Sequence, residues 1–159
     1  MSLATPLAER RAHLARKLGA IARLVGHLEF SRRRLSYPLV SIDGLDELEL
    51  ESVSALIERF GKLQDLLGGV FREIVILSGE DASDMNDVLA RVEKIGVLAS
   101  ADDWRSLRAL RNLGAHNYDD NDAAKTAFVN ESARQAAILV EVASRVAAYC
   151  HEKLCIEAI

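Results

Sequence analysis

Residues capable of chemistry are concentrated in one short segment, LRALRNLGAHNYDD, which spans positions 107–120. It holds a permanent cation, Arg111, an imidazole that titrates near neutral pH, His116, and a phenol, Tyr118. Arginine can hold the non-bridging oxygens of a phosphodiester and stabilise developing charge, while histidine can move a proton to or from a ribose hydroxyl. Because RNA carries its own nucleophile, the 2′-hydroxyl, we expect such a site to need neither a metal nor a cofactor.

Gly114 bears on whether Arg111 and His116 can act together. On an uninterrupted helix, residues five positions apart diverge by about 140° around the axis, which keeps them from closing on one small group. Glycine can leave helical geometry without a steric penalty. We therefore predict a helix end near Gly114 that lets His116 turn back beside Arg111.

The same residues also have structural interpretations. A histidine near a helix end often bonds a carbonyl, and an arginine on a helix face often pairs with a carboxylate such as Asp119 or Asp120. For Tyr118 the alternative is a buried ring with its hydroxyl bonded to the backbone. We predict that Asp119 and Asp120 cap the next helix, because carboxylates facing the site would repel phosphate.

The rest of the chain is predicted to be helical, with no alternating pattern that would require a strand. Half of the 159 residues are hydrophobic, and the abundant Leu, Ala, Arg and Glu are strong helix formers. Apolar residues at spacings of three, four and seven predict helices. The predicted limits are Thr5-Pro6 to near Ser36, a second helix after Asp43-Gly44 up to the turn at Ser78–Ser83, Asp84 to Val97, a fourth from Ser100, and Asn121 to Leu154.

These helices predict an all-α fold, an antiparallel up-and-down bundle of four to five helices in a single domain over residues 1–159. In the second helix, Gly61, Gly68 and Gly69 lower intrinsic helix stability but permit close approach of another helix. The broad apolar faces of the long helices favour self-association as a two-fold homodimer.

Charge is distributed unevenly along the chain. Residues 1–40 hold eight Arg or Lys against two Glu, a balance of +6, whereas residues 41–159 hold twelve against twenty-two, a balance of −10. The run Arg32, Arg33, Arg34 is the densest basic point, and with Arg108 it is a candidate contact for RNA. The alternative is a solvated helix end whose arginines complement the helix dipole.

Two further features bear on location and cysteine chemistry. We expect a cytoplasmic protein without a membrane span, because no uncharged apolar run of membrane length and no signal-peptide core is present. Cys150 and Cys155 are five apart on a predicted helix and point apart, so we predict no disulfide between them. Two cysteines without paired His or Cys spacing also predict no zinc site.

The phrase RNLGAHNY resembles the signature of HEPN-domain proteins, an Arg-x4-6-His motif whose first variable residue is often Asn. Its His-x-Tyr ending resembles the HepT-like subgroup of toxin ribonucleases. The helix with Trp104 that leads into the motif is similar, and so is the second helix around ALIERFGKLQDLLGGVFRE. The resemblance extends over most of the chain from about Glu49 onward, with the motif as its most specific part.

This resemblance implies a helical bundle that dimerises so that both copies of the motif line one cleft. It implies a metal-independent endoribonuclease, the toxin of a toxin–antitoxin pair, whose antitoxin is a small MNT-type nucleotidyltransferase. Arg111 and His116 would be catalytic, Asn112 would support the site, and Tyr118 would accept AMP from the antitoxin. An anionic group on Tyr118 would exclude RNA by size and by charge repulsion.

Two other functions remain open on the sequence. The same Arg and His could hold a phosphate without cleaving it, in a non-catalytic helical subunit that binds nucleotide or substrate for a nucleotidyltransferase. The chain lacks the Gly-Ser and Asp-x-Asp pattern of a nucleotidyltransferase, so that activity would belong to another chain. A plainer alternative is a structural dimer in which the motif is only a helix cap.

Overall fold

The structure, a computed structural model, describes residues 5–116 and 121–159, and for residues 114–116 it describes the backbone alone. Within these ranges the chain is an all-α bundle without strands, which confirms the predicted fold class. The helices are α1 (Pro6–Arg33), α2 (Glu47–Leu77), α3 (Met85–Lys94), α4 (Ala101–His116) and α5 (Asp122–Leu154).

Local capping signals place the helix starts close to their predicted positions. Thr5 Oγ1 accepts a hydrogen bond from the Ala8 N–H at 3.3 Å, and Pro6 is the first helical residue of α1. Asp84 caps α3 by accepting from the N–H groups of Asn86 and Asp87. The start of α1 and the start of α3 are thus determined by side chains adjacent in sequence.

The end of α1 differs slightly from its prediction near Ser36. The helix ends at Arg33, and the Arg34 N–H donates to the Ser31 carbonyl at 3.3 Å. Such an i→i+3 bond tightens the last turn and closes the helix. The backbone is therefore already non-helical before it reaches Tyr37-Pro38.

The helices form two compact units. The first contains α1 up to Arg23, then Asp65–Ala101 and Glu141–Ile159. Its core is built from apolar side chains of α1, α2, α3 and α5, among them Leu14, Phe71, Ile74, Val92 and Val146. Because each helix buries one apolar stripe, this core excludes water around the second half of α2.

Residues 155–159 pack against α1 within this first unit. Arg11 donates to the Leu154 carbonyl at 2.6 Å, and the Ile159 N–H donates to the Ala15 carbonyl at 3.2 Å. A Cβ atom on Gly19 would overlap the Ile159 carbonyl oxygen. The close approach of this segment therefore requires glycine at position 19.

Both cysteines are free, which confirms the predicted absence of a disulfide. Cys150 is buried in α5, and burial raises the pKa of its thiol to about 11. Cys155 lies beyond the end of α5 with a φ of 53°, so the expectation that both stand on one helix is wrong. A left-handed residue just after a helix is a common way to end it.

The second unit contains Leu24–Gln64 and Asp102–Val140. Its core includes Leu28, Leu56, Phe60, Trp104 and Leu139. The candidate site residues that lie in the described part of the chain belong to this unit.

A polar stripe on α5 fixes the segment between α1 and α2. Asn130 accepts from the Leu39 N–H at 2.7 Å and donates to the Leu39 carbonyl at 2.9 Å, while Thr126 accepts from the Ile42 N–H at 3.1 Å. The carboxylate of Asp122 accepts from the Asp43 N–H at 2.9 Å, and this bond lowers its pKa. Because these α5 residues recur every four positions, they lie on one helix face.

The start of α5 is capped by Asn121, whose Oδ1 accepts from the Ala124 N–H at 3.3 Å. The predicted capping residues Asp119 and Asp120 lie outside the described residues. In the part of the chain that the structure describes, no helix is both long and apolar enough to cross a membrane.

Candidate functional site

Helix α4 carries the motif and is anchored by its first half. It begins directly after Ser100 and has Asp102 and Asp103 in its first turn, where carboxylates interact favourably with the helix dipole. Trp104 and Leu107 are almost completely buried, as their spacing predicts. These two side chains anchor the first half of α4 in the apolar core.

The polar residues of the motif differ in exposure. Arg108 and Arg111, three positions apart on one face, are each partly buried. Asn112 is exposed, and so is the apolar Leu113, at 51%. The motif thus places a partly covered guanidinium beside an open, partly apolar surface.

The predicted helix end near Gly114 is wrong, because α4 continues through Gly114 to His116. Glycine inside a helix costs only up to ~1 kcal/mol relative to alanine, so it permits a helix end without imposing one. Here the helical hydrogen bonding persists past it.

A continuous α4 changes the expected relation between the two candidate catalytic residues. Positions 111 and 116 on one helix are rotated by about 140° from each other. The predicted helix break, which would have brought Arg111 and His116 of one chain together, is therefore absent from α4. The side chain of His116 and the whole of Tyr118 lie outside the described residues.

The Arg111 side chain lies against Gly61 of α2. A Cβ atom built on Gly61 would stand 3.4 Å from Arg111 Nε and 3.8 Å from its Cγ. The Arg111 stem therefore crosses α2 at position 61, where an added Cβ would lie in ordinary van der Waals contact with it. Gly61 was predicted to permit helix contact, but its connection to Arg111 was not recognised from the sequence.

The basic run at the end of α1 has a mixed environment. Arg32 pairs with Glu29 at 2.7 Å, and the Arg34 guanidinium lies 5.9 Å from the centre of the Phe30 ring. Arg33 is exposed and makes no ion pair with any residue in the described ranges. No described contact joins these arginines to Arg111.

Arg32 and Arg33 border a pocket of about 590 Å³. The other walls come from the segment after α1, with Tyr37 and Pro38, and from α5, with Asn130 and Arg134. The sequence analysis did not find this pocket, because its walls are about a hundred positions apart in the chain. Among the described residues, no group of three or more His, Cys, Asp or Glu is arranged to hold a metal.

Comparisons with protein-family models, with curated proteins and with solved structures give no match to this chain. The resemblance to HEPN-domain proteins thus remains a hypothesis based on the motif and its helical context.

Proposed function

We propose that this protein is a metal-independent endoribonuclease of HEPN type, the toxin of a toxin–antitoxin pair, and that it acts as a homodimer. The observation that carries the proposal is the RNLGAHNY motif, which α4 contains as far as His116, with the Arg111 side chain against Gly61. An arginine side chain that packs against a neighbouring helix loses less conformational entropy when it binds a phosphate than a fully exposed one does.

The continuous α4 is the reason for placing the active site between two copies. In a two-fold dimer, a residue of one subunit meets a different residue of its partner, so Arg111 of one copy can meet His116 of the other. Leu113, half-exposed between these positions, offers apolar surface for such a contact. A dimer cleft would also hold both copies of the motif.

The proposed reaction uses the 2′-hydroxyl of RNA as nucleophile. His116 removes its proton, the 2′-oxygen bonds to the adjacent phosphorus, and the bond from phosphorus to the 5′-oxygen breaks. The 5′-oxygen leaves with a proton from the second His116 or from water, giving a 2′,3′-cyclic phosphate and a 5′-hydroxyl. Arg111 stabilises the charge on the non-bridging oxygens, and Asn112 supports it with an amide.

Regulation would come from a second chain, an MNT-type nucleotidyltransferase antitoxin. That enzyme would transfer AMP from ATP to the Tyr118 hydroxyl and release pyrophosphate. The added phosphate next to the motif would repel the RNA backbone and occupy the cleft.

The proposal is tested by incubating purified protein, free of modification, with total RNA in EDTA. We expect cleavage in EDTA that falls by at least about a hundredfold in His116→Ala, in keeping with the contribution of general acid–base catalysis. His151→Ala is the matched control, since His151 is an exposed histidine on α5 outside the motif. Equal cleavage by the wild type and His116→Ala would reject the proposal.

A second candidate function is favoured by the same continuous helix. If positions 111 and 116 do not meet, the motif binds a nucleotide or positions substrate for a nucleotidyltransferase without cleaving RNA. Calorimetry that detects tight mononucleotide binding, abolished by Arg111→Ala, together with no RNA cleavage would support this alternative.

A further inference from the structure

The pocket beside the end of α1 has walls that are fixed before any ligand binds. Asn130 uses both ends of its amide on the backbone of Leu39, and Thr126 and Asp122 fix the next residues of the same segment. Tyr37 and Pro38 are therefore held close to α5 by several hydrogen bonds. A preformed pocket binds its ligand without a large ordering cost.

The charges around this pocket leave one cation in excess. Arg32 is paired with Glu29, and Arg134 with Glu131. The bonds from Arg134 and Gln135 lower the pKa of Glu131 to about 2, so this pair is charged and internally balanced at neutral pH. Arg33 has no ion pair in the described part of the chain, and it supplies the unbalanced positive charge.

The remaining walls are apolar and partly flat. The aromatic side chain of Tyr37 and the ring of Pro38 face the same pocket as the small side chains of Ala127 and Ala133. The Tyr37 hydroxyl is buried and, among the described residues, has no hydrogen-bond partner. That hydroxyl is closed off from solvent, and it is the flat apolar wall that favours a ligand with a ring.

We propose that this pocket binds a nucleoside phosphate, with the phosphate on Arg33 and the base against Tyr37 and Pro38. Arginine suits phosphate because its planar guanidinium donates two parallel hydrogen bonds. A volume of about 590 Å³ is in the range of small-molecule sites. The ligand is either a free mononucleotide or one residue of an RNA strand, and only the RNA source rests on the proposed ribonuclease function.

The test measures binding in a His116→Ala background, so that RNA is not consumed. Calorimetry with AMP and fluorescence anisotropy with a short labelled single-stranded RNA report the two ligand sources separately. Arg33→Gln removes the charge, and Ala127→Phe fills the pocket without changing charge. Arg23→Gln is the matched control, because Arg23 is an exposed arginine on the same helix outside the pocket.

We expect Arg33→Gln and Ala127→Phe each to weaken binding by about tenfold or more, and Arg23→Gln to change it by less than about twofold. If the substitutions weaken only the binding of AMP, the natural ligand is a free mononucleotide. If they weaken only the binding of RNA, the ligand is one nucleotide of an RNA strand. The proposal is overturned if neither probe binds, if Arg23→Gln weakens binding as much as Arg33→Gln, or if Ala127→Phe has no effect. Binding without any cleavage by the wild type would reject the ribonuclease and retain the pocket.

Discussion

At the scale of single residues, the contact between Arg111 and Gly61 links the motif to the bundle. Arg111 is partly buried, and its side chain passes a backbone position that has no Cβ. An alanine Cβ at position 61 would only touch the guanidinium stem, whereas a larger side chain such as leucine would displace the flexible Arg111 side chain instead of disrupting the core. Gly61 is therefore a positioning residue under the proposed function.

This contact predicts different effects of two glycine substitutions on α2. Gly61→Leu should reduce RNA cleavage by about tenfold, because its side chain extends beyond the Cβ into the space of the Arg111 stem, and misplacement of a catalytic group by 1 Å costs on the order of a hundredfold. Its free energy of unfolding should stay equal or rise by up to ~1 kcal/mol from the better helix propensity. Cleavage rates and urea unfolding of the same preparations provide the two measurements.

Gly69→Leu is the control for this prediction. A Cβ atom on Gly69 would stand 3.4 Å from Lys17 Nζ, so both glycines lie on α2 at van der Waals distance from a basic side chain. Cleavage by Gly69→Leu should match the wild type. An equal loss of cleavage in both variants would show that α2 as a whole, and not the Arg111 contact, is responsible.

At the scale of elements, α1 contains two glycines in opposite environments. Gly19 lies under the Ile159 carbonyl, whereas a Cβ on Gly26 would meet nothing within 4 Å. The same substitution therefore tests packing at one position and helix propensity alone at the other.

Gly26→Ala should raise the free energy of unfolding by up to ~1 kcal/mol, because alanine is the better helix former. Gly19→Ala should lower it by about 1–3 kcal/mol, the typical cost of overpacking, since residues 155–159 must move off α1. Urea denaturation followed by circular dichroism measures both. Equal stabilisation by the two substitutions would contradict the packing of the final segment on Gly19.

At the scale of the whole molecule, the proposed activity depends on two chains. Co-expression of differently tagged Arg111→Ala and His116→Ala chains gives mixed dimers, which can be isolated by both tags. If Arg111 of one subunit acts with His116 of the other, the mixed dimer keeps one intact pair and about half of the wild-type activity. Each mutant homodimer should be inactive.

Light scattering on the same samples serves as the control for assembly. We expect twice the chain mass of 17.5 kDa for the wild type and for all variants. Inactive mixed dimers of the correct mass would show that the two residues do not act across subunits. A monomer at micromolar concentration would remove the basis for a shared cleft.

The sequence by itself determined the elements, because apolar periodicity and capping side chains act over a few residues. Thr5-Pro6 and Asp84 start their helices where they were predicted, and Trp104 and Leu107 are buried as their spacing indicates. The motif with Arg111 and Asn112 was also found from sequence. These features depend on interactions between residues that are close together in the sequence, and the sequence alone therefore predicts them.

Only the tertiary structure decided which residues that are distant in the sequence contact each other. The continuation of α4 through Gly114 was not decided locally, because glycine is compatible with both a helix and its end. The contacts of Gly61 with Arg111, of Gly19 with Ile159 and of Leu39 with Asn130 join residues far apart in the chain. Helical spacing shows which face is apolar, but it carries no information on which distant face that surface will contact.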